Sequence, residues 1–166
     1  RYGGLWRREG LPPRKLTGVG FSAQGQFTGS YYLRKNYDKD FDWVFRGINE
    51  NKIGNFGFSG GGAAGFELDR ADYKLGTPEN CKILASSEGH DNDYVLVPEE
   101  HLTHLTTVPG DPLKSLLRAD MVYFENSNGG KVFSTGSITF CGSLPHNDFN
   151  NNVSTLLSNI LYNFSK

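Results

Sequence analysis

The segment from Arg118 to Phe140 constrains the fold most, because it contains two apolar strand patterns on either side of a turn. Its first half includes the apolar run Met121-Val-Tyr-Phe124, which is typical of a buried strand. Asn128-Gly129 then predicts a type I′ hairpin turn, since both residue types tolerate positive φ. Glu125 ends the first strand, at a position where α/β proteins often place functional side chains. The alternative is that Glu125 is a solvated turn residue.

The last segment of the chain predicts an amphipathic helix. Its apolar residues recur at helical spacing and are Val153, Leu156, Leu157, Ile160, Leu161 and Phe164. Asn150 to Asn152 supply the expected N-cap. Strands are predicted at Leu16–Ser22, Ile53–Phe58 and Lys82–Ala85, and further helices at Asp40–Ile48 and Tyr94–Leu105. This alternation predicts one α/β layered domain over residues 1–166, with a mostly parallel central sheet, a terminal hairpin and a C-terminal helix.

Charge and hydropathy argue against two classes of partner. The chain has 17 Lys and Arg against 18 Asp and Glu, so neither nucleic acid nor an acidic membrane surface is indicated. No apolar run approaches the ~20 residues of a membrane-spanning helix.

Cys81 and Cys141 are too few for a disulfide framework and predict small buried residues in a reducing, cytoplasmic compartment. The chain starts at Arg1 without a Met, so we expect an N-terminally truncated piece.

A glycine-rich segment raises the question of a nucleotide site. Gly60-Gly-Gly-Ala-Ala-Gly65 fits the pattern GxGxxG after a predicted strand. A dinucleotide site requires a helix that opens at these glycines, so that its N-terminal amides meet the pyrophosphate. Only a short helix fits before Gly76-Thr-Pro78. We therefore predict a tight backbone turn rather than the mouth of a nucleotide pocket.

Histidines offer two kinds of candidate. The densest cluster of carboxylates and imidazoles comprises Glu99, Glu100, His101 and His104. It lacks the spacing His-Glu-x-x-His, so a solvated helix face is favoured over a metal site. His90 follows a buried strand in a loop of small residues, and His146 lies in the loop before the last helix. Each is either a polar donor near a site or an ordinary loop residue.

Nucleophiles and phenols complete the candidates. Ser86 and Ser87 lack a Gly-x-Ser-x-Gly elbow, and Cys141 has no evident partner, so no nucleophile–base pair is predicted. Tyr31-Tyr32 is an aromatic pair of the kind that usually serves packing or the surface. Its phenolates are also hard anionic ligands that suit ferric iron.

Several segments together resemble the C-terminal region of the large subunit in the N,N-dimethylformamidase family. They follow one another along nearly the whole chain, which makes the resemblance specific. The matching segments span residues 18–25, 60–65, 75–78, 84–90, 118–125, 132–138 and 151–154.

The resemblance implies a glutamine-amidotransferase-like α/β fold and a mononuclear non-haem iron site held by two tyrosines and one glutamate. The implied reaction is hydrolysis of N-substituted formamides, for example of N,N-dimethylformamide to dimethylamine and formate, by iron-activated water. Carried over, Glu125 and Tyr32 would be metal ligands, with Tyr31 as the alternative register for Tyr32. Asn151 would be a catalytic polar group beside the metal. The family's second tyrosine lies upstream of Arg1, so the fragment alone is expected to be inactive.

The resemblance also implies partners, namely an amide substrate, a small subunit of the same enzyme and an oligomer of large subunits. One alternative from another class stays open. The chain could be a non-catalytic scaffold or interaction module of amidotransferase-like fold, in which Tyr32 and Glu125 are structural residues.

Overall fold

The computed structural model describes residues 9–90, 93–97 and 114–166. The strands are β1 (Gly20–Arg34), β2 (Lys52–Ile53), β3 (Ala64–Arg70), β4 (Lys82–Glu88), β5 (Val95–Leu96), β6 (Asp120–Glu125) and β7 (Lys131–Ser134). The α-helices are α1 (Arg14–Thr17), α2 (Phe140–Ser143) and α3 (Asn152–Phe164). Short 3-10 turns lie at Lys39–Phe41, Tyr73–Leu75 and Lys114–Leu116.

The strands form one sheet in the order β2-β1-β4-β6-β7, and β3 and β5 also pair with β1. Every strand pairing among the described residues is antiparallel. The prediction of an α/β layered domain with a mostly parallel sheet, and with it an amidotransferase-like fold, is therefore wrong. A parallel crossover needs a dozen or more residues and usually a helix. Between β3 and β4 the chain has only residues 71–81, with one 3-10 turn at Tyr73–Leu75.

Other predicted elements are shorter or displaced in the structure. The predicted helix at Asp40–Ile48 is a 3-10 turn at Lys39–Phe41 followed by further turns. The strand predicted at Ile53–Phe58 covers only Lys52–Ile53. Leu16 and Thr17 end helix α1, and the strand predicted there begins at Gly20.

The C-terminal helix is confirmed. Helix α3 buries Val153, Leu156 and Ile160 against the main core. Asn151 is its N-cap and accepts the backbone N–H of Ser154, which satisfies one of the unpaired amides at the helix start. A 13-residue helix with one apolar stripe gains most of its stability from this packing.

The hairpin is confirmed, although its turn differs from the prediction. Strands β6 and β7 pair from Val122 with Ser134 to Glu125 with Lys131. Gly129 alone among the turn residues has positive φ, at 80°. The Asn126 carboxamide oxygen accepts the backbone N–H groups of Asn128 and Gly130. The loop therefore ends in a left-handed glycine, a common alternative to the two-residue type I′ turn.

The glycine-rich segment forms the predicted turn. Residues Gly60–Gly62 turn the chain directly into β3, so the element after the glycines is a strand and not a helix. Gly29 and Gly62 face each other so closely that a Cβ on Gly29 would lie 2.7 Å from the Gly62 backbone nitrogen. The helix N-terminus that a pyrophosphate requires does not follow these glycines.

No helix among the described residues is long and apolar enough to cross a membrane. Both cysteines are free thiols. Cys81 is buried as predicted, but Cys141 is exposed, so the prediction of burial is wrong for that residue.

Candidate functional site

A cavity of about 550 Å³ lies at the carboxyl end of β4. Its walls include Ser86 and Ser87 from β4, His90 just beyond it, Lys35 beyond β1, and Arg118 before β6. Strand β4 is central in the sheet and buries four successive residues, 84–87, before it reaches the cavity. The cavity therefore stands on a rigid support.

Ser87 and His90 form a close polar pair in this cavity. The Ser87 Oγ and His90 Nε2 atoms are 2.6 Å apart. Gly89 between them has φ of 78°, which L residues rarely adopt, and this turn brings His90 back onto the end of the strand. The backbone N–H of Ala119 donates to the same Ser87 oxygen at 2.7 Å. A hydroxyl within hydrogen-bond reach of an imidazole is the basic arrangement for proton transfer.

Charged side chains surround the pair. The Lys35 ammonium contacts the Glu88 carboxylate at 2.5 Å, with both side chains partly exposed. The Arg118 Nε donates to both Asp120 carboxylate oxygens, at 2.9 and 3.1 Å. Both cations line the cavity together with Glu88, so its wall carries ion-paired charges of both signs close to Ser87 and His90.

Asp120 is a fully buried carboxylate behind the cavity wall. Besides Arg118, its oxygens accept the Ser86 hydroxyl at 2.6 Å and the Ala71 backbone N–H at 2.9 Å. Several charge-assisted hydrogen bonds offset the cost of burying this charge. Asp120 thus fixes Ser86 and Arg118 in the wall.

Tyr31 lies at the edge of the same region. It is opposite Glu88 in the β1–β4 register, and a Cβ on Gly89 would lie 3.8 Å from its hydroxyl. The Lys52 ammonium sits 4.1 Å from the centre of its ring. Tyr31, which is the alternative to Tyr32 as a predicted metal ligand, is therefore the tyrosine that lies beside Gly89.

Tyr32 points into the core. It is fully buried, and its hydroxyl donates to the Thr135 carbonyl at 2.7 Å. Burial raises the pKa of this phenol well above its ordinary value, and the charges of Asp120 and Asp69 add to the shift. The structure thus favours the neutral phenol at Tyr32.

Glu125 lies at the exposed end of β6. Its carboxylate accepts the Tyr123 hydroxyl at 2.5 Å, and its backbone carbonyl accepts the Asn80 amide. Burial and the adjacent Glu125 carboxylate raise the pKa of Tyr123 above its ordinary range. The Tyr123 ring packs edge-on against Phe41 and Trp43, at centroid distances of 6.0 and 5.8 Å.

Asn151 and His146 lie at the N-terminal end of helix α3. The Asn151 amide nitrogen donates to the carbonyls of Leu144 and His146, and its oxygen caps the helix. The His146 ring stacks on Phe56 at 4.2 Å. Both side chains support the loop before the helix, and neither lines the cavity at β4.

The structure does not bring Tyr32 and Glu125 together. Tyr32 is opposite Ser87, and Ser87 bonds to Ala119 across the next strand pair. Glu125 is six residues farther along β6, which places it roughly 20 Å away along the strand direction. Phe164, the last residue of helix α3, packs against the Tyr123 ring. Asn151 precedes the first residue of the helix and therefore lies about 20 Å from the end of the helix at Phe164. The backbone register does not bring the three residues together, and their convergence stays a prediction.

This donor set does not fit one iron ion. A mononuclear centre needs its ligand atoms within about 2–2.5 Å of the metal, whereas Tyr32 and Glu125 lie at opposite ends of the sheet. Within residues 9–90, 93–97 and 114–166, no group of three or more His, Cys, Asp and Glu side chains is placed to hold a metal. The cluster of Glu99, Glu100, His101 and His104 lies outside the described residues. Iron, and a ligand role for either residue, remain predictions.

A second cavity of about 570 Å³ lies between helix α3 and the sheet. Glu67 and Asp69 face it together with apolar side chains such as Phe133 and Leu157. Burial and, to a smaller extent, the Glu67 charge raise the pKa of Asp69 to about 6, while Arg14 opposes the shift. This groove contains the exposed Cys141 but not Ser87 or His90.

Comparison with known proteins identifies a family for the chain. Residues 1–153 match the model of the family described as N,N-dimethylformamidase beta subunit-like, C-terminal. The chain is 39% identical over 169 residues to the N,N-dimethylformamidase beta subunits of an Alcaligenes species and of Paracoccus aminophilus. The match covers all of this chain and 22% of each relative.

The chain therefore belongs to the N,N-dimethylformamidase beta subunit-like, C-terminal family. It spans about a fifth of the length of the two beta subunits, and the resemblance inferred from the sequence is confirmed.

Proposed function

We propose that this chain contributes the cavity at the end of β4 to an amide hydrolase that acts on N-substituted formamides such as N,N-dimethylformamide. The observation that carries the proposal is the 2.6 Å contact between Ser87 and His90 inside a cavity that Lys35 and Arg118 also line. The names of the relatives supply the substrate class, because both are subunits of N,N-dimethylformamidase.

His90 is the proton-transfer group in this proposal. The Ser87 hydroxyl passes a proton from water to Nε2 of His90 as the water oxygen adds to the formyl carbon, and the proton returns by the same route to the nitrogen as the carbon–nitrogen bond breaks. The products are formate and an amine. Lys35 and Arg118 stabilise the negative charge that develops on the carbonyl oxygen.

Ser87 positions the imidazole rather than attacking the substrate. Its oxygen already accepts the Ala119 N–H, and the residue is only 2% exposed. A serine held on both sides orients the His90 ring and favours one of its tautomers. Iron, where it is bound in the whole enzyme, would polarise the carbonyl as a Lewis acid. Since Tyr32 and Glu125 do not form a common site, no step here passes through them.

The proposal is tested by His90→Gln in the natural full-length protein, with His146→Gln as the matched control. Loss of a general base lowers kcat by about 10²–10⁴-fold, whereas His146 lies outside the cavity and its replacement leaves kcat unchanged. Unimpaired hydrolysis by His90→Gln would contradict the proposal. A covalent formyl adduct on Ser87 would instead assign that residue as the nucleophile.

A non-catalytic scaffold is the second candidate. It is favoured by the structural bonds of the two predicted ligands, Tyr32 to Thr135 and Tyr123 to Glu125. Glu125→Gln tests whether Glu125 is a metal ligand, and His90→Gln tests whether the β4 cavity is catalytic. We expect activity and metal content to be retained, because Glu125 is far from the cavity. Joint loss of iron and activity would restore the ligand role that the family resemblance implies.

We further propose that the chain functions within a multi-subunit enzyme, since its relatives are named beta subunits. The small subunit, the large-subunit oligomer and the cytoplasmic location belong to this proposal. Size measurement of the purified natural protein with and without a co-expressed small subunit tests the assembly.

A further inference from the structure

A break in the β1–β3 ladder lies next to His90. The two strands pair at Gln24 with Glu67 and resume at Gly29 with Gly65. Residues 25–28 of β1 thus stand opposite Phe66 alone, and Phe66 has φ of 62°, which is costly for a side chain of this size. Such a strained bulge persists only where neighbouring groups hold it.

Tyr94 occupies this break. In the continued register Thr28 would face Phe66, but the Tyr94 hydroxyl stands between them. It donates to the Thr28 carbonyl and accepts the Phe66 backbone N–H at 3.2 Å. One phenol therefore replaces a backbone hydrogen bond of the ladder.

The Tyr94 ring is fixed as firmly as its hydroxyl. Strand β5 pairs with β1 at Ala23 and Gln24, which brings Tyr94 over Gly25. A Cβ on Gly25 would lie 2.6 Å from three atoms of the ring, so a side chain at position 25 would clash with the Tyr94 ring where it lies. Tyr94 is 2% exposed.

The Tyr94 ring also contacts the His90 ring. The His90 and Tyr94 ring centroids are 4.7 Å apart, with 60° between the planes, a favourable edge-to-face contact. His90 is thus held by Ser87 at Nε2 and by Tyr94 at its ring. We propose that Tyr94 is a positioning residue for His90, anchored by Gly25 and by the break in the β1–β3 ladder. The inference rests on the proposed function of His90.

The test compares Tyr94→Leu and Tyr94→Phe in the natural full-length protein. Loss of the ring lets the imidazole shift, and a shift near 1 Å can lower kcat about 10²-fold with little change in KM. We expect this loss in Tyr94→Leu and a smaller one in Tyr94→Phe, which keeps the ring. Tyr73→Phe is the matched control, because its hydroxyl also donates to a carbonyl, that of Cys81, away from the cavity. Its kcat should not change.

A second measurement reads His90 directly. Proton–carbon NMR of histidine-labelled protein, with the His90 signal assigned through His90→Gln, should show that signal moving in Tyr94→Leu while that of His146 stays. An unmoved His90 signal in folded Tyr94→Leu would overturn the inference, whatever the activity. Where Tyr94→Leu does not fold, Gly25→Ala displaces the ring sterically and is read in the same way. A moved signal in a protein without amidase activity would uphold the positioning and reject the proposed function.

Discussion

The two ends of strands β4 and β6 carry different kinds of polar residue. At one end Ser87 and His90 meet in a cavity backed by the buried Asp120. At the other end Glu125 is exposed beside a turn and accepts a hydroxyl from its own strand neighbour Tyr123. In an antiparallel sheet, the carboxyl ends of adjacent strands point in opposite directions and lie at opposite ends of the strands. A carboxylate at a strand end therefore indicates a site only when the direction of that strand is known.

The largest expected effect concerns the buried and the exposed carboxylate. Asp120→Ala removes the partner of Arg118, Ser86 and the Ala71 amide, and should lower the free energy of unfolding by about 3–5 kcal/mol. Glu125→Ala changes a surface residue and should cost about 0.5 kcal/mol. Urea unfolding measures both. Equal losses in the two variants would break the distinction between the two ends.

The next effect depends on pH and concerns Asp69 beside the buried Tyr32. The pKa of Asp69 is raised to about 6 from its ordinary value of 3.8, so the folded protein holds this proton more tightly than the unfolded chain. Stability therefore falls as pH rises from about 4 to 6, and Asp69→Asn removes that loss. We expect Asp69→Asn to stabilise the protein by about 1–3 kcal/mol at pH 7 and hardly at pH 4. Stabilisation that is independent of pH would contradict the raised pKa.

The third effect compares the loss of the hydroxyl at the buried Tyr32 with its loss at the adjacent, partly exposed Tyr31. Tyr32→Phe leaves the partly buried Thr135 carbonyl without its hydroxyl donor and should cost about 1–2 kcal/mol of unfolding free energy. Tyr31→Phe is the matched control and should cost less, because Tyr31 is partly exposed. Thermal unfolding of both variants checks this order. Iron loss from Tyr32→Phe with unchanged stability would favour the ligand role instead.

The smallest effect lies in the turn at the Glu125 end. Gly129→Ala places a side chain at φ of 80° and should lower stability by about 1 kcal/mol. Asn128→Ala should cost no more than about 0.5 kcal/mol, since only Gly129 needs positive φ. If both substitutions cost the same, the turn is type I′ after all.

Local patterns in the sequence predicted the hairpin and helix α3, because alternation and helical spacing are properties of single segments. Strand direction was not predictable in this way. The strand Ala64–Arg70 was not predicted, so the short connection at residues 71–81 that follows it could not serve as a signal. Asn151 was predicted both as a cap and as a site residue, and its amide is fully used by the cap and loop.

The Ser87–His90 pair was missed because it does not follow a nucleophile-elbow motif. It is built by Gly89, whose positive φ turns His90 back onto the strand. A glycine between a strand-end serine and a histidine was the signal that could have revealed it. The support from Tyr94 depends on the β1–β3 break, which local sequence does not specify.

We propose that substrate binds at the end of β4 and not beside Glu125. A crystal structure of the natural full-length protein with N,N-dimethylformamide or formate tests it most directly. We predict ligand density in the cavity of about 550 Å³, within hydrogen-bond distance of His90 and close to Arg118. Density beside Glu125 and Tyr123, with the β4 cavity empty, would contradict the claim.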